Sequence, residues 1–323
     1  NTIELNSETF IQCDLVHYKS GKSAFVLSWD HILMDGRGAG ILIKHLSSVH
    51  YFNANDLHHF FPKEETKVSI YQYIKNMYKV KHFIEKSSKA PIASVTQKIE
   101  NEGIPLYHTL VFEKEIVEQI EKNAVKKGAR FGLNLFLIAS CAHVVNKLNK
   151  KRNSVGDLWF PIPYDGRLRG AKGPIVTNNV STLFYRFSQT DLNSIEKTIE
   201  SLNKQMAEQL KMEMPKKYNM LLNMMRHIPN RLYYFLVNRS SEGSFASFLY
   251  TSTGENIQHM EQLFDKQIEN VQIYPQHTYP PGLTFSFLRF NGSIRLNFAY
   301  ISTSISEKEL EEMKNNLNKI LLD

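Results

Sequence analysis

The sequence predicts an α/β protein of the α+β type, built as two domains, each a mixed sheet covered by helices. Three observations carry that reading. At 323 residues the chain is longer than the roughly 250 to 300 residues at which a single hydrophobic core stops growing. Its 42% hydrophobic and 22% charged residues are the mix of a globular protein, not of a disordered or fibrous one. Strand and helix patterns alternate along the chain, and the series restarts after a polar stretch with two prolines, Lys86 to Pro105.

Taken in order, a strand runs from Ala24 to Trp29, with Phe25, Leu27 and Trp29 alternating onto one face, and stops at Asp30 and His31. Gly36, Gly38 and Gly40 open a helix through Ile41, Leu42 and Leu46, and a second helix covers about Ser69 to Glu85. Residues 1–104, with a linker or crossover loop from about 86, form the N-terminal domain on this reading, and 105–323 form the C-terminal domain. The second domain starts with a strand near Tyr107 to Phe112, a helix from about Lys114 to Lys127 and an apolar helix from about Leu133 to Leu148. Strands follow at Leu158 to Pro163 and Val176 to Phe187, then helices at about Leu192 to Lys211 and Tyr218 to Val237. Further strands are expected at Phe245 to Thr253, Val271 to Tyr274, Leu283 to Phe290 and Ser293 to Ala299, with Asn291-Gly292 as a type I′ hairpin turn between the last two. A helix from Glu307 to Leu322 closes the chain, and no internal repeat or low-complexity tract interrupts it.

Several function classes are disfavoured at this level. The formal charge of +7 is spread along the chain, and its densest cluster, Lys147, Lys150, Lys151 and Arg152, ends a predicted helix, where cations complement the dipole without any ligand. A nucleic-acid partner is therefore not expected. No uncharged apolar run reaches the roughly 18 to 20 residues of a membrane span, and no secretion signal opens the chain, so the cytoplasm is the expected compartment. The chain begins at Asn1 without a methionine and runs into strand-like sequence, which suggests an upstream segment and an incomplete N-terminal domain. Cys13 and Cys141 are too few for a disulfide framework or a cysteine zinc site, and both read as inert.

Chemistry concentrates at Ser28-Trp29-Asp30-His31-Ile32-Leu33-Met34-Asp35-Gly36. This is HxxxDG, placed directly after a strand and directly before a glycine-rich helix start. The letters alone occur often by chance; the strand before them and the apolar helix after them give them weight. A metal site is one alternative, since His31 and Asp35 at i and i+4 share a face if the segment is helical, but the glycines argue for a loop and no second ligand pair has a recognisable spacing. His17, His108, His143, His227 and His277 each stand alone and read as structural.

The stretch from Phe25 to Leu46 resembles the HHxxxDG region of the acyltransferase superfamily that includes nonribosomal peptide condensation domains, chloramphenicol acetyltransferase, plant BAHD acyltransferases and bacterial wax-ester synthases. Tyr107 to Leu148 resembles the opening of that superfamily's C-terminal domain. Pro161-Ile162-Pro163-Tyr164-Asp165-Gly166-Arg167, followed by Thr177-Asn178-Asn179-Val180, resembles its proline, arginine and asparagine stretch, and the ending from Leu283 onward is also similar. The resemblance implies two domains of the chloramphenicol-acetyltransferase type, with a channel between them in which an acyl group passes from a thioester to a hydroxyl or amine.

On the same basis His31 is the expected general base, since an imidazole ordinarily titrates near about pH 6.5 and its neutral form accepts a proton from an attacking hydroxyl or amine. Asp35 is expected to be structural, paired with an arginine, with Arg167 the first candidate and Arg169 the second. Thr251, Ser252 and Thr253 before Gly254, together with Asn178, are candidates for oxyanion or channel contacts, although strand-end hydroxyls and turn asparagines have ordinary structural uses. No permanently bound cofactor or metal is implied. Acyl-CoA or a phosphopantetheine thioester is the cosubstrate, and the partners are that donor, a small-molecule acceptor and, given the basic chain, an acidic carrier protein.

One departure matters: the first histidine of the paired motif is Asp30 here. It points away from peptide condensation and towards a free-standing O- or N-acyltransferase, and an acidic neighbour either favours a protonated ring or orients the loop. It also leaves a second reading open, a catalytically inactive binding or docking domain that keeps the fold. Met212 to Arg239, rich in Met, Leu, Tyr and Phe, including Tyr234 and Phe235, reads as a helix packed in its own core in preference to one lying on a membrane.

Overall fold

The computed structural model describes residues 10–47, 69–88, 91–96, 103–167, 176–225, 229, 231, 246–253 and 260–323. The chain divides into two compact units that are each discontinuous in sequence: one holds Asn1–Glu65, Asp165–Val180 and His259–Glu269, the other Thr66–Tyr164, Ser181–Gln258 and Asn270–Asp323. The single boundary expected near residue 104 falls inside the second of these units.

The first unit is small. Strands β1 (Ile11–His17) and β2 (Ser23–Trp29) pair antiparallel, with Cys13 opposite Leu27 and Leu15 opposite Phe25. Gly21, with φ at +80°, turns the chain between them. Helix α1 (Gly36–Ser47) follows β2 and buries Gly38, Ala39 and Gly40. A short hairpin, Gln262–Leu263 with Lys266–Gln267, places the Phe264 ring edge-on to Phe25 at 5.5 Å. Its turn residues, Phe264 and Asp265, both have positive φ without a glycine, so no Asn-Gly or Gly-Gly signal marks the hairpin in the sequence.

The second unit carries the large core. Strand β3 (Pro105–Phe112), β6 (Leu249–Ser252), β9 (Leu283–Phe290) and β10 (Ser293–Ile301) form a mixed sheet in the order β3-β10-β9-β6, antiparallel except for the parallel β6–β9 pair; the two short strands of the first unit's hairpin are β7 and β8. Asn291 and Gly292, at φ +47° and +79°, make the expected I′ turn. Helices α3 (Lys114–Lys126), α4 (Leu133–Lys151) and α7 (Glu307–Leu322) pack together in this unit. Helix α4 is buried all round from Leu135 to Ala142, where small and apolar side chains occupy every face, and its lysines Lys147, Lys150 and Lys151 are exposed towards its end. Cys141 lies fully buried on it, and burial pushes its thiol well above the ordinary range. Ser306 and Glu309 close a capping box on α7, and Glu309 also takes two bonds from Arg152, whose guanidinium reaches the carbonyls of Val95 and Ser304.

Strands β4 (Leu158–Asp165) and β5 (Val180–Phe187) pair as a separate ribbon. The backbone of β5 is satisfied by amides: Gln209 and Gln205, one turn apart on α5 (Ile195–Lys211), each bond both the N–H and the C=O of Phe184 and Arg186 respectively. This blunts a sheet edge without a further strand. Helix α2 (Ile70–Ser88) docks on α6 (Met214–Met225), where the Tyr73 hydroxyl donates to Met220 O at 2.5 Å.

Several expectations need correction. Residues 91–96 are not a free linker: Ile92 bridges to Asp157, and Ala93, Ser94 and Val95 are buried. The strand expected from Val176 starts at Val180, and the one expected from Phe245 is limited to Leu249–Ser252. Val271 to Tyr274 forms no ladder; Ile273 O is taken up by the Asn297 side chain instead. The helix expected to reach Val237 is described only to Met225, so Tyr234 and Phe235 lie outside the described residues.

Candidate active site

The motif occupies the connection from β2 to α1. Asp30 ends the strand: its N–H donates to Phe10 O, and its carboxylate accepts from Ile32 N at 2.8 Å, an Asx turn tightened by Leu33 N to Asp30 O at 3.0 Å. Of the two roles open to this acidic neighbour, the structure shows the loop-orienting one. His31 heads the turn and is exposed. Trp29 secures the far side, its indole N–H donating to Met34 O at 2.9 Å.

Asp35 is 1% exposed, and all its bonding capacity is used. Its Oδ1 accepts from Gly38 N at 2.7 Å and from Arg167 Nη2 at 3.0 Å; its Oδ2 accepts from Arg167 Nη1 at 2.9 Å and from Asn179 N at 2.8 Å. The first bond caps the N-terminus of α1, where a carboxylate also meets the positive end of the helix dipole. The next two make a fork-to-fork ion pair with Arg167. Burial opposes the charge on Arg167, but its bonds to Asp35 and Asp165 outweigh this, and its pKa lies above the ordinary arginine value. Asp165 also pairs with Arg37.

The segment 177–179 wraps this pair. Thr177 O accepts from Arg167 Nη2 at 2.7 Å, Asn179 N binds Asp35, and between them Asn178 donates to His31 O at 2.7 Å and approaches His31 Nδ1 at 3.3 Å. Three consecutive residues therefore hold three members of the site. Close approach also explains Gly38, where a Cβ would meet Thr177 O at 2.9 Å, and Gly166, where it would meet the Asn179 side chain at 2.8 Å.

His31, Asp35, Gly36, Arg167 and Asn178 are thus brought together inside the first unit. Arg167 is the partner of Asp35; Arg169, the second candidate, lies outside the described residues. Asn178 stands against the histidine itself, donating to its carbonyl and lying beside its Nδ1. Thr251 and Ser252 sit on β6 of the second unit, opposite Ser286 and Phe287 of β9, and Thr253 donates to Phe287 O. Thr177 and Asn179 had no assigned role in the sequence, since they act through backbone C=O and N–H groups that every residue carries. The signal available was their place beside Asn178 in the Thr177-Asn178-Asn179-Val180 stretch. His31 and Asp35 do not share a helix face, and among the described residues no three His, Cys, Asp or Glu side chains gather as a cation site.

What the arrangement offers chemically is an exposed imidazole on a hydrogen-bonded turn, backed by a buried ion pair whose carboxylate already accepts four bonds. No protein-family model and no curated protein matches this chain. Solved structures do. A trichothecene 15-O-acetyltransferase from Fusarium sporotrichioides aligns over 98% of this chain and 71% of its own, at 13% identity and a TM-score of 0.67. Polyketide synthase associated protein 5 from Mycobacterium tuberculosis aligns over 99% and 79%, at 13% identity and 0.60. The first condensation domain of the calcium-dependent antibiotic synthetase aligns over 97% and 66%, at 14% identity and 0.59. The chain has the fold shared by condensation domains and chloramphenicol-acetyltransferase-like enzymes, and it spans about two thirds to four fifths of the length of these neighbours.

Proposed function

We propose that the chain is an acyltransferase that moves an acyl group from a thioester to a hydroxyl or amine, with His31 as general base. The observation that carries this is His31 itself: an exposed imidazole presented at the end of β2 by a turn whose other members are fixed by Asp35, Arg167 and the 177–179 segment. The two compact units are read as the two domains of the acyltransferase fold.

In the reaction, the neutral ring takes the proton of the acceptor as its oxygen or nitrogen bonds to the thioester carbonyl carbon. Collapse of the tetrahedral intermediate breaks the C–S bond, and the imidazolium returns its proton to the departing thiolate. The balance needs no covalent enzyme intermediate and no cofactor. Asp35 serves to hold the loop: with four bonds already accepted it is not the third member of a relay. CoA and a carrier-borne phosphopantetheine arm present the same thioester, and the +7 charge suits either anionic partner.

The test is thiol release from acyl-CoA in the presence of alcohol and amine acceptors. Turnover abolished in His31→Ala supports the enzyme. No turnover with any thioester donor, CoA-borne or carrier-borne, together with unchanged ligand binding in that variant, identifies a binding domain instead.

A further inference from the structure

Helix α2 has two apolar faces, and only one of them is used by the fold. The inner face docks on α6: the Tyr73 hydroxyl donates to Met220 O, the Asn76 amide lies 3.6 Å from Met220 Sδ, and Val80 is fully buried. On the outer face Ile70, Tyr71, Ile74 and Tyr78 are 58–80% exposed. At about 100° per residue these four side chains fall within one arc of about 100°, a continuous stripe along more than two turns. Lys75, Lys79 and Lys86 follow one edge of that stripe, exposed and in no ion pair among the described residues. Lys81, on its other side, pairs with Glu85 at 3.7 Å.

We infer that the outer face of α2 is a docking surface for an anionic lipid bilayer, the isoleucine and tyrosine stripe entering the headgroup boundary and the three lysines beside it meeting lipid phosphates. Charge complementarity selects this occupant: α2 carries four lysines against one glutamate, in a chain of net charge +7. The residue types agree. Tyrosine joins an apolar body to a polar tip and suits the membrane interface, and lysine lays its stem along apolar surface while its head reaches outward. A protein partner would select a different composition, since the cores of protein interfaces are depleted in lysine. A second copy is opposed by charge, because a two-fold contact through this stripe brings two sets of lysines together.

The contact is interfacial, as no helix among the described residues is long and apolar enough to cross a membrane. It needs no rearrangement, because the face of α2 that holds α6 points the other way. Each lysine within reach of an anionic surface is worth about fivefold in partitioning, and screening limits that reach to about 10 Å at about 0.1 M salt. The inference goes beyond the acyl-transfer reading and does not rest on it.

Sedimentation of the full chain with lipid vesicles tests this. Wild type is expected to bind vesicles of mixed phosphatidylglycerol and phosphatidylcholine more tightly than vesicles of phosphatidylcholine alone, and to be released as salt rises from about 0.1 M to about 0.5 M. Lys75→Gln/Lys79→Gln/Lys86→Gln should weaken binding to the mixed vesicles on the order of a hundredfold, and Ile74→Ser/Tyr78→Ser about tenfold or more. Lys122→Gln/Lys126→Gln/Lys308→Gln removes the same charge from exposed positions on α3 and α7 and should change binding less than about threefold. No binding to the mixed vesicles, equal binding to the neutral ones, or an equal loss in the two lysine variants overturns the inference. So does a wild-type dimer, seen by analytical ultracentrifugation without vesicles, that Ile74→Ser/Tyr78→Ser turns into monomers, since the stripe is then an interface between copies. Should that variant fail to fold, the two lysine variants and the salt dependence still decide it.

Discussion

Replacing Arg167 by alanine removes one partner of a buried pair and leaves the other in place. The side chains of Arg167 and Asp35 are 6% and 2% exposed, so the Asp35 carboxylate would stay in the interior without its counter-ion. Breaking such a pair from one side costs about 3–5 kcal/mol. Asp35 would keep its bonds from Gly38 N and Asn179 N, which places the expected loss at the lower end, about 3 kcal/mol. The bond to Thr177 O disappears as well, at about 1 kcal/mol. Because the pair fastens residues 35, 177 and 179, the loss should concentrate in α1 and the histidine turn. Amide hydrogen exchange of residues 36–47 is thus the assay of choice, with urea unfolding as the global measure. Asp35→Asn preserves the capping oxygen, so the double variant Asp35→Asn/Arg167→Ala should lose at least about 1 kcal/mol less than the sum of the single variants. An Arg167→Ala variant within about 0.5 kcal/mol of wild type, or strict additivity in the cycle, would refute the claim that this pair anchors the site.

Gly38→Ala should destabilise by about 1–3 kcal/mol in urea unfolding, because the new methyl meets Thr177 O at 2.9 Å and Met34 Cβ at 3.1 Å. Helix propensity alone predicts a gain of about 1 kcal/mol, so the sign decides between the two effects. Glu309 is held at about pKa 2, chiefly by its hydrogen bonds from Arg152. A depressed carboxylate contributes its stability above its ordinary pKa and loses it as pH falls through the folded value. Wild type should therefore lose up to about 3 kcal/mol more than Glu309→Gln between pH 5 and pH 2, as read by unfolding at each pH. Gln209→Leu leaves the N–H and C=O of Phe184 unpaired in a buried position and should cost about 2–4 kcal/mol, with β5 amides exchanging faster. With a thiol reagent, exposed Cys13 should react in the folded protein and Cys141 only on unfolding; equal rates would contradict the packing of α4.

The periodic elements were legible because their signals are local. Phe25, Leu27 and Trp29 alternate as a half-covered strand must, the apolar run of α4 has no polar face to expose, and Asn291-Gly292 supplies two residues that tolerate positive φ. Val271 to Tyr274 has the same alternation and forms no strand, because its partner is the Asn297 side chain and not a neighbouring backbone. The Phe264-Asp265 turn was invisible for the opposite reason: it adopts positive φ without a glycine, and of its two residues only Asp265 is of a type that tolerates it.

The site divides along the same line. His31, Asp35 and Gly36 can be read from one short window, and Arg167 from a second. What the window leaves unsaid is which backbone groups share Asp35 with Arg167 and why Asn178 touches the histidine. Both depend on backbone groups of Thr177 and Asn179, which are chemically identical in every sequence and acquire a role only when folding brings residues 177–179 against residues 31–38. Substituting their side chains should consequently do less than displacing their backbone. Asn179→Ala keeps the N–H that Asp35 accepts and should leave α1 exchange within about 0.5 kcal/mol of wild type. Asn179→Pro deletes that N–H, one of the two donors to Asp35 Oδ2, and should loosen α1 and the turn by about 1–3 kcal/mol, the worth of a hydrogen bond to a charged group. Equal effects of the two variants would show that the Asn179 side chain, and not its place in the chain, is what the site uses.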